Sequence, residues 1–220
     1  MRSRIPRTKI VYWALDDVFS SGGYSKLDKL VTIENSRDSY PLEFSSSIQK
    51  SGNNSSINNL VMFTSDKSGT LPLVSRLRTI MAIETFLLGL DLKPTGLRGD
   101  PLSLRPKLHT DRLENAIKNC DIACWLVNIG WRSGTSRTGT QIPPSLIKKV
   151  ITALQEGIFL ADNCRYQRHS HTDLDIPLVE GFLSKDDLFP ENRWPSQEEY
   201  EQEAKRLMSR NVLRLKAMDF

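Results

Sequence analysis

Two uninterrupted apolar runs constrain this chain more than anything else in it. Leu60–Thr64 (LVMFT) and Ile122–Val127 (IACWLV) show no alternation between apolar and polar residues. A strand with one wet face alternates, so runs of this kind belong in a sheet covered on both faces. Helices must supply the cover. Thr79–Leu90 (TIMAIETFLLGL) reads as one, with Ile80, Ile83, Phe86, Leu87 and Leu90 on a single helical face. Leu113–Asn119 reads as a second, shorter helix, and Ser145–Gln155 as a third with Leu146, Ile147, Val150, Ile151 and Leu154 in one stripe. Ser196, with Glu199 three residues on, forms a capping box after Pro195 and opens a helix of about 18 residues. Ile10–Trp13 (IVYW) reads as a short buried strand. Strands and helices intermingle without regular β-α-β alternation, which predicts an α/β class with a mixed (α+β) sheet and packing helices.

The 220 residues suffice for one large domain with appendages. The reading places a basic segment and first strand in residues 1–15, the main domain in 16–207, and the end of the last helix with a tail in 208–220. Within the domain, Ser45–Asn59 (SSSIQKSGNNSSINN) has too little apolar surface to order itself and is expected to be a mobile polar loop. The N-x-S sequons at Asn53 and Asn54 read as chance.

A formal charge of +4 permits contact with anions without arguing for nucleic acid. No apolar run approaches the roughly 18 residues of a membrane span. Cys120, Cys124 and Cys164 cannot all pair and lack zinc-ligand spacing, so a reducing, intracellular compartment is expected. The first nine residues, MRSRIPRTK, carry four basic side chains and no acid. They read either as the front of a mitochondrial presequence or as a solvated basic terminus of a cytoplasmic protein.

Chemistry is most strongly suggested by Gly134–Gly139 (GTSRTG), which follows a buried strand and precedes a helix. The spacing approaches the G-x-x-x-x-G-K-[ST] phosphate cradle. Thr140 stands where the lysine belongs, Gln141 where the magnesium-holding hydroxyl belongs, and Pro143-Pro144 removes two N–H donors. Asp16-Asp17 follow the first strand, a place where paired carboxylates hold magnesium, although paired acids in a loop also read as plain solvated charge. His109, His169 and His171 are expected to be solvated. Cys120 and Cys124 are not expected to be activated thiols. Lys205, Arg206, Arg210, Arg214 and Lys216 read as a wet helix face, which leaves docking to an acidic partner or to RNA open.

Several segments, in order, resemble the carboxyl-terminal half of ATP-dependent phosphoenolpyruvate carboxykinase. Val18–Lys26 (VFSSGGYSK) resembles the family's V-F-N-x-E-G-G-C-Y-A-K, and Glu34–Glu43 (ENSRDSYPLE) resembles E-N-T-R-x-x-Y-P-I-x. Val61–Leu77 (VMFTSDKSGTLPLVSRL) resembles V-I-F-L-T-x-D-A-F-G-V-L-P-P-V-S-x-L. Leu102–Pro106 (LSLRP) resembles L-x-L-H-P, Trp125–Gly134 (WLVNIGWRSG) resembles x-L-V-N-T-G-W-x-G, and Leu188–Ala204 resembles the closing helix. The resemblance implies a nucleotide-binding domain, and a family reaction that converts oxaloacetate and ATP to phosphoenolpyruvate, ADP and CO2. It implies that Gly134, Gly139, Gln141 and Ile142 occupy a vestigial nucleotide site. Arg37 matches an arginine that in the family reaches phosphate and substrate, and it also reads as an ion-pair partner for Glu34 or Glu43.

The departures are as informative. No counterpart appears of the family's amino-terminal domain, its phosphate loop or its upstream substrate-binding arginine, lysine and histidine. Ser21 replaces the glutamate before the Gly-Gly pair. Where the family's adenine-clasping segment reads G-K-R-I-S-I-K-x-T, this chain reads G-T-Q-I-P-P-S-L-I, with Gln141 for arginine and Ile147 for threonine. Phosphoryl transfer depends on positioning and charge neutralisation, and losing one such group costs about 10²–10³ in rate. The expectation is therefore a pseudoenzyme serving as a structural or interaction module with protein partners. No cofactor is expected, with ATP and Mg2+ or Mn2+ entering only if the family site is partly retained. The alternatives are residual carboxykinase activity, a fragment completed by another chain, or a small nucleotide-binding regulator.

Overall fold

A computed structural model describes residues 10–15, 58–89 and 106–218. The elements run β1 (Ile10–Leu15), β2 (Asn59–Thr64), β3 (Val74–Leu77), α1 (Thr79–Leu88), α2 (Pro106–Cys120) and β4 (Ala123–Asn128). They continue through β5 (Trp131–Arg132), β6 (Thr140–Gln141), α3 (Pro144–Gln155), β7 (Arg165–Arg168), β8 (Asp175–Leu178), α4 (Lys185–Leu188) and α5 (Gln197–Lys216). Six strands form one sheet in the order β1-β2-β4-β3-β8-β7, and β5 pairs with β6 in a small separate ribbon. β1, β2 and β4 are parallel, while β3, β8 and β7 add on antiparallel. The sheet is mixed, as the intermingled pattern predicts.

All six residues of β4 are buried, which is why its sequence carries no alternation. Alternate residues still divide between two cores. Val61, Ala123, Trp125, Val127 and Ile176 face α3, meeting Val150, Ala153, Leu154 and Phe159. Met62, Cys124, Leu126 and Leu77 face the other way, meeting Ala82, Ile83, Phe86 and Leu87 of α1 and Ile117 of α2. Helices thus sandwich the sheet. Trp125, fully buried, donates its indole N–H to Asn59 Oδ1 at 2.8 Å and packs on Phe159 with ring centroids 5.7 Å apart.

Several sequence expectations change. The α1 stripe is Ala82, Ile83, Phe86 and Leu87, whereas Ile80 is 55% exposed. Alanine reads as neutral by hydropathy, yet it faces the sheet closely, and that rotates the stripe away from Ile80. α2 begins at Pro106 rather than Leu113, because its first turns carry Lys107, His109, Thr110, Asp111 and Arg112 and show no apolar period. The polar loop expected to end at Asn59 ends earlier, since Asn59 is the buried first residue of β2; residues 45–57 lie outside the described set. The capping box opens α5, with Ser196 Oγ accepting from Glu199 N at 3.3 Å, and the helix runs 20 residues. Its Tyr200, Ala204 and Leu207 are buried, and Arg214 donates to Leu88 O at 2.7 Å at the end of α1. Lys205 lies 4.0 Å from Glu201, and Arg206 lies 3.4 Å from Glu203. The three cysteines are free. Burial pushes the Cys124 thiol up to about 11, against the pull of Arg76, and the side chain packs in the core on the α1 face of the sheet.

Leu154→Ala removes a side chain 2% exposed between α3 and the sheet and is expected to cost about 2–5 kcal/mol in urea unfolding. Ile80→Ser should change stability by less than about 0.5 kcal/mol in the same experiment.

Candidate functional site

The parallel strands β2 and β4 end side by side, and the loops leaving them form the region that the glycine spacing singles out. The loop after β2 is organised by Asp66, 5% exposed. Its Oδ1 accepts from Ser68 N at 2.8 Å and Ser68 Oγ at 2.6 Å; its Oδ2 accepts from Thr70 N at 2.8 Å and Leu71 N at 2.9 Å. Aspartate two residues before a serine and three before a glycine is a turn-forming pattern, the signal by which Asp66 could have been found. With every acceptor position engaged inside its own loop, this carboxylate serves the backbone.

The loop after β4 is tied to that turn. Asn128 Oδ1 accepts from Asp66 N at 3.2 Å and Gly130 N at 2.9 Å, and its Nδ2 donates to Leu71 O at 3.2 Å. Trp131 N donates to Asp66 O at 3.0 Å, and Ser136 N donates to Lys67 O at 2.8 Å. The backbones touch: a Cβ on Gly69 would lie 2.0 Å from Gly134 O, and Gly69 has φ +69°. A Cβ on Gly139 would lie 2.5 Å from Gly134 O and 2.6 Å from Arg132 O. These glycines permit backbone to meet backbone.

Five successive amides in Thr135–Gly139 have internal acceptors. Thr135 N donates to Thr138 Oγ1 at 3.2 Å, Ser136 N to Lys67 O, and Arg137 N to Thr135 Oγ1 at 3.3 Å. Thr138 N and Gly139 N both donate to Thr135 O, at 3.1 and 2.6 Å. A phosphate cradle needs such amides directed at the ligand; here four bond within the turn and the fifth, Ser136 N, bonds the Asp66 loop. Gln141 is exposed on β6, and Ile142, 4% exposed, donates its N–H to Gly130 O at 2.9 Å. Gly134, Gly139, Gln141 and Ile142 therefore fall together in one compact turn and ribbon. Arg37, Asp16 and Asp17 lie outside the described residues. Among the described residues no group of three or more His, Cys, Asp or Glu side chains could hold a metal ion.

Arg132 of the ribbon is paired. Asp187 accepts from Arg193 Nη2 at 2.8 Å and Arg132 Nη1 at 3.2 Å, and from Ser184 Oγ at 2.8 Å. Burial alone would push its carboxyl up, but the Ser184 hydroxyl and the two guanidinium groups outweigh that and hold it below the usual range.

Behind the Asp66 loop lies a buried polar network, and it corrects the expectation that all three histidines are solvated. His169 is 1% exposed. The backbone after β7 turns inward here, with His169 N donating to Leu174 O at 2.8 Å, and the ring meets Thr172 Oγ1 at 2.7 Å through Nδ1. Its Nε2 lies 3.0 Å from Glu191 Oε2 and 3.0 Å from the Tyr200 hydroxyl, which donates to Thr70 O at 3.1 Å. The group is satisfied with Nε2–H shared by the ionised Glu191 and the Tyr200 oxygen, while Nδ1 bonds the Thr172 hydroxyl in either protonation state of the ring. Burial raises the Tyr200 phenol strongly, helped by Glu191 and Asp66. Burial also pushes Glu191 up, but its hydrogen bond to His169 and the charge of both histidine rings hold it below the usual carboxylate range. Trp194 Nε1 donates to Gly69 O at 2.9 Å and completes the support.

Fold and site together define a mixed-sheet α/β domain whose glycine-rich turn closes the carboxyl ends of its parallel strands, the usual place for ligands in such sheets. The family model for phosphoenolpyruvate carboxykinase matches residues 18–181, and the chain belongs to that family, corresponding to its carboxyl-terminal half. It is similar to the phosphoenolpyruvate carboxykinase (ATP) of Bradyrhizobium diazoefficiens, 27% identical over 191 residues, covering 80% of this chain and 35% of that protein. The enzyme of the same description from Geobacter sp. (strain M21) is 30% identical over 197 residues, covering 83% and 37%. That of Christiangramia forsetii is 29% identical over 193 residues, covering 80% and 36%. The chain spans about a third of the length of these curated relatives.

Gly69→Ala is expected to destabilise the protein by at least about 2 kcal/mol in chemical denaturation, since it combines strain at positive φ with a backbone collision. Glu191 has a lowered folded pKa, so its contribution is present above its ordinary value near 4.5 and fades as pH falls through the folded one. Thermal melts from pH 6 to 3 should show acid destabilisation that is smaller in Glu191→Gln.

Proposed function

We propose that this domain is a non-catalytic member of the phosphoenolpyruvate carboxykinase family, serving as a structural or interaction module within a larger intracellular assembly. The observation that carries this reading is the internal commitment of the five amides from Thr135 to Gly139. Chemistry at neighbouring positions supports it. Thr140 and Gln141 cannot supply the charge and metal-holding hydroxyl of a phosphate loop, and Pro143 and Pro144 offer no amide donors. γ-Phosphate transfer depends on concentrated positive charge to neutralise its transition state, and Thr140 and Gln141 add none at these positions. An interaction role suits α5, where Leu213 is 68% exposed and Val212 46% exposed on a helix that also shows Arg210 and Lys216 to solvent.

A second reading is favoured by the length comparison. A domain spanning about a third of its relatives can be the partner of a chain that supplies the remainder, and ATP with a divalent metal would then bind across both.

Isothermal titration of ATP, ADP and GTP with Mg2+ is expected to give no saturable heat, and oxaloacetate with ATP no phosphoenolpyruvate. Micromolar ATP binding by the isolated chain would overturn the module reading. Phosphoenolpyruvate formed only on mixing with a chain that carries the family's remaining part would favour the second.

A further inference from the structure

A cavity of about 460 Å³ opens on the α3 face of the sheet, toward the amino-terminal end of β4 and away from the 134–142 turn. It is lined by Arg76, Phe159, Leu160, Ala161, Tyr166 and Asp175. Its volume falls in the range of small-molecule pockets. Arg76 is the cation in it that forms no ion pair among the described residues. Its guanidinium carbon lies 4.9 Å from the Trp125 ring centroid, held over the aromatic face. Its Nη1 is buried and has no hydrogen-bond partner among the described residues. Asp175 stands opposite Arg76 in the β3–β8 register, yet its Oδ1 accepts from Arg168 Nε at 3.1 Å, and Arg168 also meets Asp173 at 3.4 Å. The second acid, Asp173, is further engaged by Arg78. Among the described residues, these pairs leave Arg76 as the cation at the cavity without an ion-pair partner.

The remaining wall is apolar with one polar tip. Leu160 and Tyr166 are 45% and 44% exposed, unusual for large side chains lining a concavity. The Tyr166 hydroxyl is already spent on Phe159 O at 2.5 Å, and burial pushes the phenol up to about 12, so it adds no anion to compete with a ligand. A half-buried guanidinium facing an apolar concavity recognises a carboxylate carried on a short apolar or aromatic body.

We propose that this cavity is a binding site for small aryl or alkyl carboxylates, with Arg76 holding the carboxylate and Phe159, Leu160 and Tyr166 holding the body. The site is separate from the 134–142 turn and stands whether or not that turn meets nucleotide.

The test is a 1H–15N titration of the full chain with phenylacetate, acetate and phenylacetamide. Phenylacetate is expected to shift the Trp125 indole N–H and the Tyr166 and Leu160 amides saturably, and to bind at least about tenfold more tightly than either control. Arg76→Met should remove that preference. Because Arg76 also covers Trp125, Arg76→Lys serves as a second variant that keeps the charge and should retain part of it. Equal binding of phenylacetate and phenylacetamide to the unaltered protein overturns the proposal, as does the absence of saturable shifts at these residues with phenylacetate.

Discussion

Asn128 closes β4 with a carboxamide that three other backbone groups need. It is fully buried, accepts the amides of Asp66 and Gly130, and donates to the carbonyl of Leu71. A buried amide left without an acceptor costs about 1–3 kcal/mol, so one side chain here stabilises two loops at once. Only a residue with both acceptor and donor in one plane can do this, and aspartate in its place would face the Leu71 carbonyl with a like lone pair. The contact of Gly69 with Gly134, the turn around Asp66 and the position of the β5–β6 ribbon all follow from that junction.

How much was legible depends on whether the controlling interactions are local. The central strands announced themselves by continuous apolar composition, and α1, α3 and α5 by period or cap. The β7–β8 hairpin did not, because Arg165, Tyr166, Gln167 and Arg168 are all exposed and carry no buried-face signal. His169 was misread for a related reason. Its neighbours in sequence are polar, while the groups that bury it, Glu191 and Tyr200, arrive from elsewhere in the chain. At the candidate site the glycine spacing was readable. The destination of the amides was not, since the acceptor of Ser136 N is the carbonyl of Lys67, on another loop. Family membership was legible because ordered short motifs survive where backbone packing demands particular residues.

That last point reconciles a retained motif with a changed turn. Gly69, Gly134 and Gly139 are required by contacts between main chains, whatever ligand is or is not bound. Packing alone is therefore enough to account for the glycine pattern. Side chains that face solvent, such as Gln141, are under no such restraint from the fold.

The indole of Trp194 and the phenol of Tyr200 bond to the carbonyls of Gly69 and Thr70 across separations of 125 and 130 residues. During synthesis those partners cannot meet until α5 has left the ribosome, long after β2 and β3 have emerged. The loops at the carboxyl ends of the parallel strands thus wait for partners made more than a hundred residues later.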